Sequence, residues 1–400
     1  MRTLVVLLIP VSFVLAWPLT AMLIWLGHRL HTFDSGGVPG QVKAPRRRIP
    51  NTGGVAIFAA IAAPLTLGLL VLRPGVLESI YSVGWLPQGW SDFAIANLTP
   101  HLAGIAQQAG QGWLLLASLA LLHIMGLLDD RRPLGPFFKL AMMAGPALAI
   151  PLVSTLTPGF APTRLFTFLD SHVGGAWLSI LITALWFLII TNAMNFMDNM
   201  DGLSAGTACV AGAFFLTSAL IQGQWFVGAC LALLVGACLG FLLFNAPRPG
   251  GAKIFMGDGG SLVLGFLLAF LTVRTTYLPA AGGPGASPWY AVLMPLLVLA
   301  VPLYDLVTVV AIRLRQGKSP FVGDLQHLSH RLNRLGLSRR ASVLVIWGLA
   351  AVTGVAGVSL ASLEPWQAGL VGLQLMVILA LMGAFDYAGS KAAALKDGPR

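Results

Sequence analysis

Charge is what this 400-residue chain has least of: Asp, Glu, Lys and Arg together make up 10% of it, against roughly 25% in a water-soluble domain. So few charged side chains cannot cover a water-facing surface of this size, which excludes a soluble enzyme. With 57% hydrophobic residues, a disordered chain is excluded as well. Cysteine is nearly as scarce. Cys209, Cys230 and Cys238 all lie inside apolar stretches, so a disulfide scaffold is excluded and they are expected to pack as small apolar side chains. No repeat of fixed period is visible. The net charge of +10 comes without a recognition module for nucleic acid, and no nucleic-acid partner is expected.

What the chain does have is long apolar runs and a mean hydropathy of +0.83. A membrane-spanning helix needs about 20 mostly apolar residues. Eleven runs qualify or nearly so: Leu4–Leu26, Gly53–Leu72, Gly112–Leu128, Phe137–Leu156, Trp177–Asn192, Leu203–Ile221, Trp225–Phe244, Ser261–Tyr277, Ala291–Ile312, Ser342–Leu360 and Trp366–Phe385. The expected fold is therefore all-α, a polytopic membrane protein of about eleven transmembrane helices, with residues 1–400 as a single membrane-embedded domain. The first run is longer than a signal-peptide core and reads as an uncleaved span. Several others are short for a bilayer, which implies tilt or local thinning.

Lys and Arg set the orientation. With the N-terminus periplasmic, only Arg2, Arg73, Arg164 and Arg274 of the 24 basic residues fall outside. An odd number of spans then leaves the C-terminus, as a tail over 385–400, in the cytoplasm. In the outer loop Arg73–Gly112, Trp85 and Trp90 are expected at the membrane interface, and the Gly/Pro-rich stretch 279–288 reads as a plain connector.

The 14 acidic residues are informative because a carboxylate in or beside a span is costly and usually functional. Most lie at the inner ends of the spans, in four clusters. Asp129 and Asp130 end the third span; on a helix neighbours differ by about 100°, so both face one site only where the helix stops, and a solvated helix end is the other reading. In Asn192-Ala-Met-Asn195-Phe-Met-Asp198-Asn-Met-Asp201-Gly202, polar groups recur every three residues. They converge only if the helix ends or tightens near Asp198. Phe255-Met-Gly-Asp258-Gly-Gly-Ser261 precedes the eighth span; its glycines allow close approach of a ligand and the following helix start favours anions, though a tight turn alone would look the same. The loop from Arg313 through Asp324 and His327 to His330 supplies cations and two histidines. Those histidines lack a third zinc ligand nearby, and carboxylate surroundings suit a harder cation. His123, inside the third span, reads as a packed polar contact without a role.

Carboxylates ringed by cations on one membrane face suit Mg²⁺, which binds one or two carboxylates plus substrate phosphates. Phosphoryl transfer is mostly positioning and charge neutralisation. The residues thus point to a magnesium-dependent transfer on a phosphorylated, lipid-borne substrate.

The same stretches carry a resemblance. Pro50-Asn-Thr-Gly53-Gly54, Leu127-Leu-Asp129-Asp130, Asn192 to Gly202, Phe255 to Ser261 and Ser319-Pro-Phe321 through His327 to His330 resemble, in order, the inner loops of the bacterial polyprenyl-phosphate N-acetylhexosamine-1-phosphate transferases. The resemblance is closest to the branch, acting on GlcNAc-1-phosphate and undecaprenyl phosphate, that starts O-antigen, teichoic acid and related cell-envelope glycans. It implies UDP-N-acetylhexosamine and polyprenyl phosphate as partners, UMP as product, Mg²⁺ as cofactor with Mn²⁺ as a substitute, and the inner (plasma) membrane as location; a homodimer is compatible with it. It further implies Asp258 and Asp198 as metal ligands and Asp129 and Asp130 facing lipid phosphate and metal. Asn195, Asp198 and Asp201 would shape the nucleotide side, Phe255 would stack on uracil near Asn245, and Arg313, Asp324, His327 and His330 would bind phosphate or sugar.

Two departures stand out. Ser329 occupies a position where the family carries histidine in His-x-His-His, and the connection from Asn245 to Phe255 is longer than usual. The peptidoglycan-precursor branch carries three consecutive histidines, which are absent here; this argues against a muramoyl-pentapeptide substrate. Two other classes remain as alternatives. A secondary transporter would put its site near the bilayer midplane, where Asp305 is the deepest acid. An intramembrane prenyltransferase would need two similar acidic helical motifs, and only one is present. Between a covalent Asp intermediate and direct attack, direct attack is favoured: a phosphate monoester, with a second pKa of about 6, is already largely ionised at neutral pH.

Overall fold

The structure is a computed structural model that describes residues 1–33, 48–73, 75–82, 87–275, 289–321 and 323–396. Asp34, Lys43, Arg46, Arg47, Trp85, the 279–288 connector and Asp397 lie outside the described residues. In a bilayer every backbone polar group must be satisfied within the segment, so apolar runs become helices. The principal ones are α1 (Arg2–Leu30), α2 (Gly53–Val71), α3 (Leu102–Arg131), α4 (Pro136–Leu156), α5 (Trp177–Phe196), α6 (Leu203–Ile221), α7 (Trp225–Asn245), α8 (Asp258–Arg274), α9 (Met294–Val298), α10 (Ala300–Arg315), α11 (Leu328–Arg334), α12 (Arg339–Ser359) and α13 (Pro365–Lys396). Among the described residues the only extended pairing is an isolated bridge between Phe33 and Pro50.

Nine helices among the described residues are long and apolar enough to cross a membrane, or ten if one bent pair counts as a span. The chain is thus an all-helical polytopic membrane protein. The remaining expected span is α8, whose 17 residues are short for a bilayer. The bent pair is the expected ninth span, broken at Leu299 by 66°. Pro302 explains the break: it lacks an N–H, and its ring crowds the carbonyl four residues back, at Val298. Two segments between or beyond the expected spans are themselves helical. The outer loop after Arg73 holds helices Val76–Ser82 and Gln88–Leu98 before α3 starts at Leu102. The expected tail from 385 begins as a continuation of α13, which runs to Lys396.

Helix α8 is the axis of the bundle. Nearly all its residues from Gly259 to Thr272 are buried, and it packs on α5, α3, α2, α6 and α7. Helix α1 lies along α7 and α2, and α12 along α6. Helix α13 is the outermost, exposing Leu370, Leu373, Met376 and Leu381 as lipid-facing side chains do. Cys230 and Cys238 are buried and Cys209 half-buried, all as free thiols.

Where two helices meet without a hydrophobic force between them, small residues let backbones touch. A Cβ at Gly236 of α7 would sit 2.2 Å from the Ile9 carbonyl oxygen of α1, while one at Gly68 of α2 would meet nothing within 4 Å. Gly236→Ala is therefore expected to destabilise the protein by about 1–3 kcal/mol, read as a lower Tm in detergent, with Gly68→Ala leaving Tm unchanged or slightly raised.

Candidate active site

The site is built on the first turn of α8. Gly257, at φ 71°, turns the chain so that Asp258 opens the helix. The first N–H groups of any helix have no partner inside it. Here Asp258 N–H donates to Asp130 Oδ1 at 3.1 Å and Gly259 N–H to Asp130 Oδ2 at 3.5 Å. Asn51 Nδ2 adds a third donor to Asp130 Oδ1 at 3.1 Å. A carboxylate is favoured at this end of a helix, so Asp130 caps α8 from the last turn of α3.

The Pro50–Gly54 stretch docks on the same turn through backbone bonds: Phe255 N–H to Pro50 O at 2.8 Å, Gly53 N–H to Phe255 O at 2.9 Å and Gly54 N–H to Met256 O at 2.9 Å. The docking needs glycine: a Cβ at Gly54 or at Gly126 would lie 2.4 Å from the backbone nitrogen of Gly260 or Gly259. His123 closes the turn from α3, its Nδ1 2.7 Å from the Gly259 carbonyl and its ring stacked 4.5 Å from Phe58.

Asp129, one residue before Asp130, faces another way. Its Oδ1 accepts from Leu134 N–H at 2.8 Å and its Oδ2 lies 3.3 Å from Lys139 Nζ. Lys139 also pairs with Asp258 Oδ2, so two carboxylates converge on one ammonium. Asp258 Oδ1 accepts from Asn195 Nδ2 at 2.7 Å, and Asn195 reaches Ser261 Oγ at 2.9 Å. Lys139 was not singled out in the sequence; its signal is a lysine inside the apolar run Phe137–Leu156, where a charge is seldom idle. The donor set suits Mg²⁺: two hard carboxylate oxygens already share a positive charge, and Mg²⁺ draws its other ligands from water and phosphates. Among the described residues no group of three or more His, Cys, Asp or Glu forms a closed metal cage.

A second group surrounds the loop before α11. Arg313 is 2% exposed; Nη1 donates to Pro320 O at 2.7 Å and Nη2 to Asp324 Oδ1 at 2.9 Å. Its guanidinium lies 5.3 Å from the Phe196 ring centre. Arg313, expected as a phosphate ligand, uses both terminal nitrogens to tie down this loop. Asp324 is pulled two ways: burial raises its pKa, while the hydrogen bonds from Arg313 and Gln326 N–H and the nearby positive charge together hold it below the usual carboxylate range. His327 Nδ1 lies 2.9 Å from Asp305 Oδ2, and Leu328 N–H donates to Asp305 Oδ1 at 2.6 Å. The deepest acid, on which the transporter alternative leaned, is thus bonded to the histidine loop. Burial, then the nearby charges of His327, Arg334 and Arg339, pushes His330 down to about 4, which favours the uncharged imidazole at neutral pH.

The end of α5 connects these groups. The helix stops at Phe196, near the break that convergence of the Asn/Asp cluster required. Asn195 holds Asp258; Phe196 lies between Arg313 and His327; Asn199 accepts from Ser329 Oγ; and Asp201 Oδ2 accepts from Ala252 N–H at 2.9 Å. Asp198 is half-buried in the turn that follows. Ser329, 1% exposed, points inward and pins the loop. Asn245 accepts from Gly202 N–H at 2.8 Å and donates to Ile254 O at 2.8 Å. At 4% exposure, with both ends of its amide so used, it braces two turns. Phe255 is half-buried beside this brace.

Residues 112–276 match the model of glycosyl transferase family 4. The chain is similar to a probable undecaprenyl-phosphate N-acetylglucosaminyl 1-phosphate transferase of Bacillus subtilis, 29% identical over 342 residues, covering 82% of this chain and 90% of the relative. A decaprenyl-phosphate N-acetylglucosaminephosphotransferase of Mycobacterium leprae is 32% identical, covering 78% and 77%. An undecaprenyl-phosphate alpha-N-acetylglucosaminyl 1-phosphate transferase of Escherichia coli is 28% identical, covering 66% and 72%.

The depressed His330 makes a prediction about stability. From its ordinary 6.5 down to about 4, the unfolded chain takes up this proton while the folded chain does not, so stability is lost as pH falls through that window. His330→Gln is expected to show a smaller drop in Tm between pH 7 and pH 5 than the parent; an equal drop would mean that His330 protonates freely in the folded protein.

Proposed function

The chain belongs to glycosyl transferase family 4, and from that premise we propose that it transfers N-acetylglucosamine-1-phosphate from UDP-N-acetylglucosamine to a polyprenyl phosphate, releasing UMP. The observation that carries this reading is the convergence of Asp129 and Asp258 on Lys139 beside the α8 turn capped by Asp130. The reaction would be the first membrane step of a cell-envelope glycan, carried out by a multi-pass protein of the bacterial plasma membrane. Counting the 17-residue α8 as a short central span brings the total to eleven, and the asymmetry of Lys and Arg supports a periplasmic N-terminus and a cytoplasmic site. The muramoyl-pentapeptide alternative is not favoured, since the three consecutive histidines of that branch are absent and the similar proteins named above are N-acetylglucosamine transferases.

In the reaction an oxygen of the lipid phosphate attacks the sugar-bearing phosphorus of the UDP-sugar, the bond to the UMP oxygen breaks, and its electron pair leaves with UMP. Asp258 and Asp129 would hold Mg²⁺, or Mn²⁺ in its place, with Asp198 as a further oxygen donor. The bound cation would neutralise charge on the diphosphate. Asp129 orients the lipid phosphate, which needs no strong base. Lys139 offsets the charge of both carboxylates, and Asn195 fixes the direction of Asp258. Phe255 offers its ring to uracil, and His327 and His330 meet the diphosphate or sugar. Asp130, Asp201, Asn245, Arg313 and Asp324 position these groups through the contacts already described.

The test is to incubate purified protein with a panel of UDP-sugars, Mg²⁺ and polyprenyl phosphate, and to measure UMP. UDP-N-acetylglucosamine is expected to give UMP only when lipid phosphate is present. Asp258→Asn should lower kcat/KM by about 100-fold or more at any practical Mg²⁺ concentration. A stoichiometric burst of UMP without lipid, with a sugar-phosphate adduct on Asp129, would replace direct attack by a covalent route. Release of pyrophosphate would point to prenyl transfer.

A further inference from the structure

We propose that Asp305 is a positioning residue for His327: it decides which ring nitrogen the histidine offers to the sugar nucleotide's diphosphate. The inference rests on the reading above, and it concerns a residue placed on a spanning helix, away from the acidic turn at Asp258.

Asp305 lies on α10 and is 1% exposed. A buried carboxylate is unfavourable unless it is paired and hydrogen-bonded. Both its oxygens are engaged by the same short stretch of chain: Oδ2 lies 2.9 Å from His327 Nδ1, and Oδ1 accepts from Leu328 N–H at 2.6 Å. With Nδ1 committed to Asp305, Nε2 is the one ring nitrogen left for a ligand. The ring plane is set from the other side by Phe196, edge-on at 5.3 Å and 90°. The bond to Leu328 also fixes the start of α11, so one carboxylate sets both the histidine's rotation and the helix that carries His330.

The charged groups around His327 come from three elements. Asp305 is on α10, Asp324 acts on it from the loop, and His330 on α11 has its ring 6.5 Å away. Arg313 lies over Phe196, 5.3 Å from that ring's centre. Of these groups, Asp305 is the one bonded directly to the ring. A second proton placed on Nε2 would then be available as a charge-assisted donor to phosphate oxygen.

The test is kcat and KM for UDP-N-acetylglucosamine, read as UMP release. Asp305→Asn keeps an acceptor for Leu328 N–H but removes the carboxylate oxygen that holds His327 Nδ1; KM should rise about tenfold with kcat changed less than about twofold. His327→Gln should raise KM at least as far, and adding Asp305→Asn to it should change kcat/KM by less than about twofold. A parental KM in Asp305→Asn, or additive effects in the double variant, would overturn the proposal. If Asp305→Asn does not fold, His327→Gln decides alone, since an unchanged KM there removes His327 from the role. A parent that forms no UMP would sink the functional reading itself; an active parent with an unaltered Asp305→Asn KM would sink only this inference.

Discussion

The structure depends on a helix N-terminus buried among other helices. Helix α8 begins inside the bundle, where its free N–H groups would be costly if left unmet. Asp130 meets them from α3, and it can reach them only because Gly126 and Gly54 allow three backbones to touch. This one packing solution fixes the start of α8 and the position of Asp258. It also gives the adjacent Asp129 and Asp130 different tasks. Neighbours on a helix point about 100° apart; one carboxylate turns to the backbone of α8 and the other to Lys139. Mutual repulsion between the acids is eased by a helix end in one case and an ammonium in the other.

A second constraint is where α5 stops. Polar residues every three positions cannot share a face of a long helix, since their direction drifts by about 60° per step. Because α5 ends at Phe196, the residues at and beyond its end spread to different partners. Asn195 reaches α8, Asn199 reaches the α11 loop through Ser329, Asp201 reaches Ala252, and Gly202 reaches Asn245. The segment ties together three loops that are far apart in sequence, so the acidic turn, the histidine loop and the Asn245 brace are parts of one end of the bundle.

Much of this is legible in the sequence, for a physical reason. In a chain so poor in charge, each acid near a span stands out, and Asp129, Asp130, Asn195 and Asp258 do come together. Helix positions follow from apolar run length. Pairing does not follow, because it depends on which backbones approach each other. Lys139 looks like one more basic residue until it is found between Asp129 and Asp258. His123 and Asn51 become meaningful only against the α8 turn. Arg313 and Asn245 have the chemistry of ligands, and the bonds by which they also hold the chain appear only once the loops are in place. Ser329, a departure from the family's histidine, is buried against Asn199; a serine can pin two turns there where no cation is offered.

The central claim is that these segments form one site where two anionic substrates meet around a divalent cation. Paramagnetic Mn²⁺ reads this directly through broadening of the ³¹P resonances of UDP-N-acetylglucosamine and of a short polyprenyl phosphate, both added to the detergent-purified protein. The account predicts protein-dependent broadening of the diphosphate and the lipid phosphate together, lost for both in Asp258→Asn. Broadening of only one ligand, or equal broadening in Asp258→Asn, would contradict it.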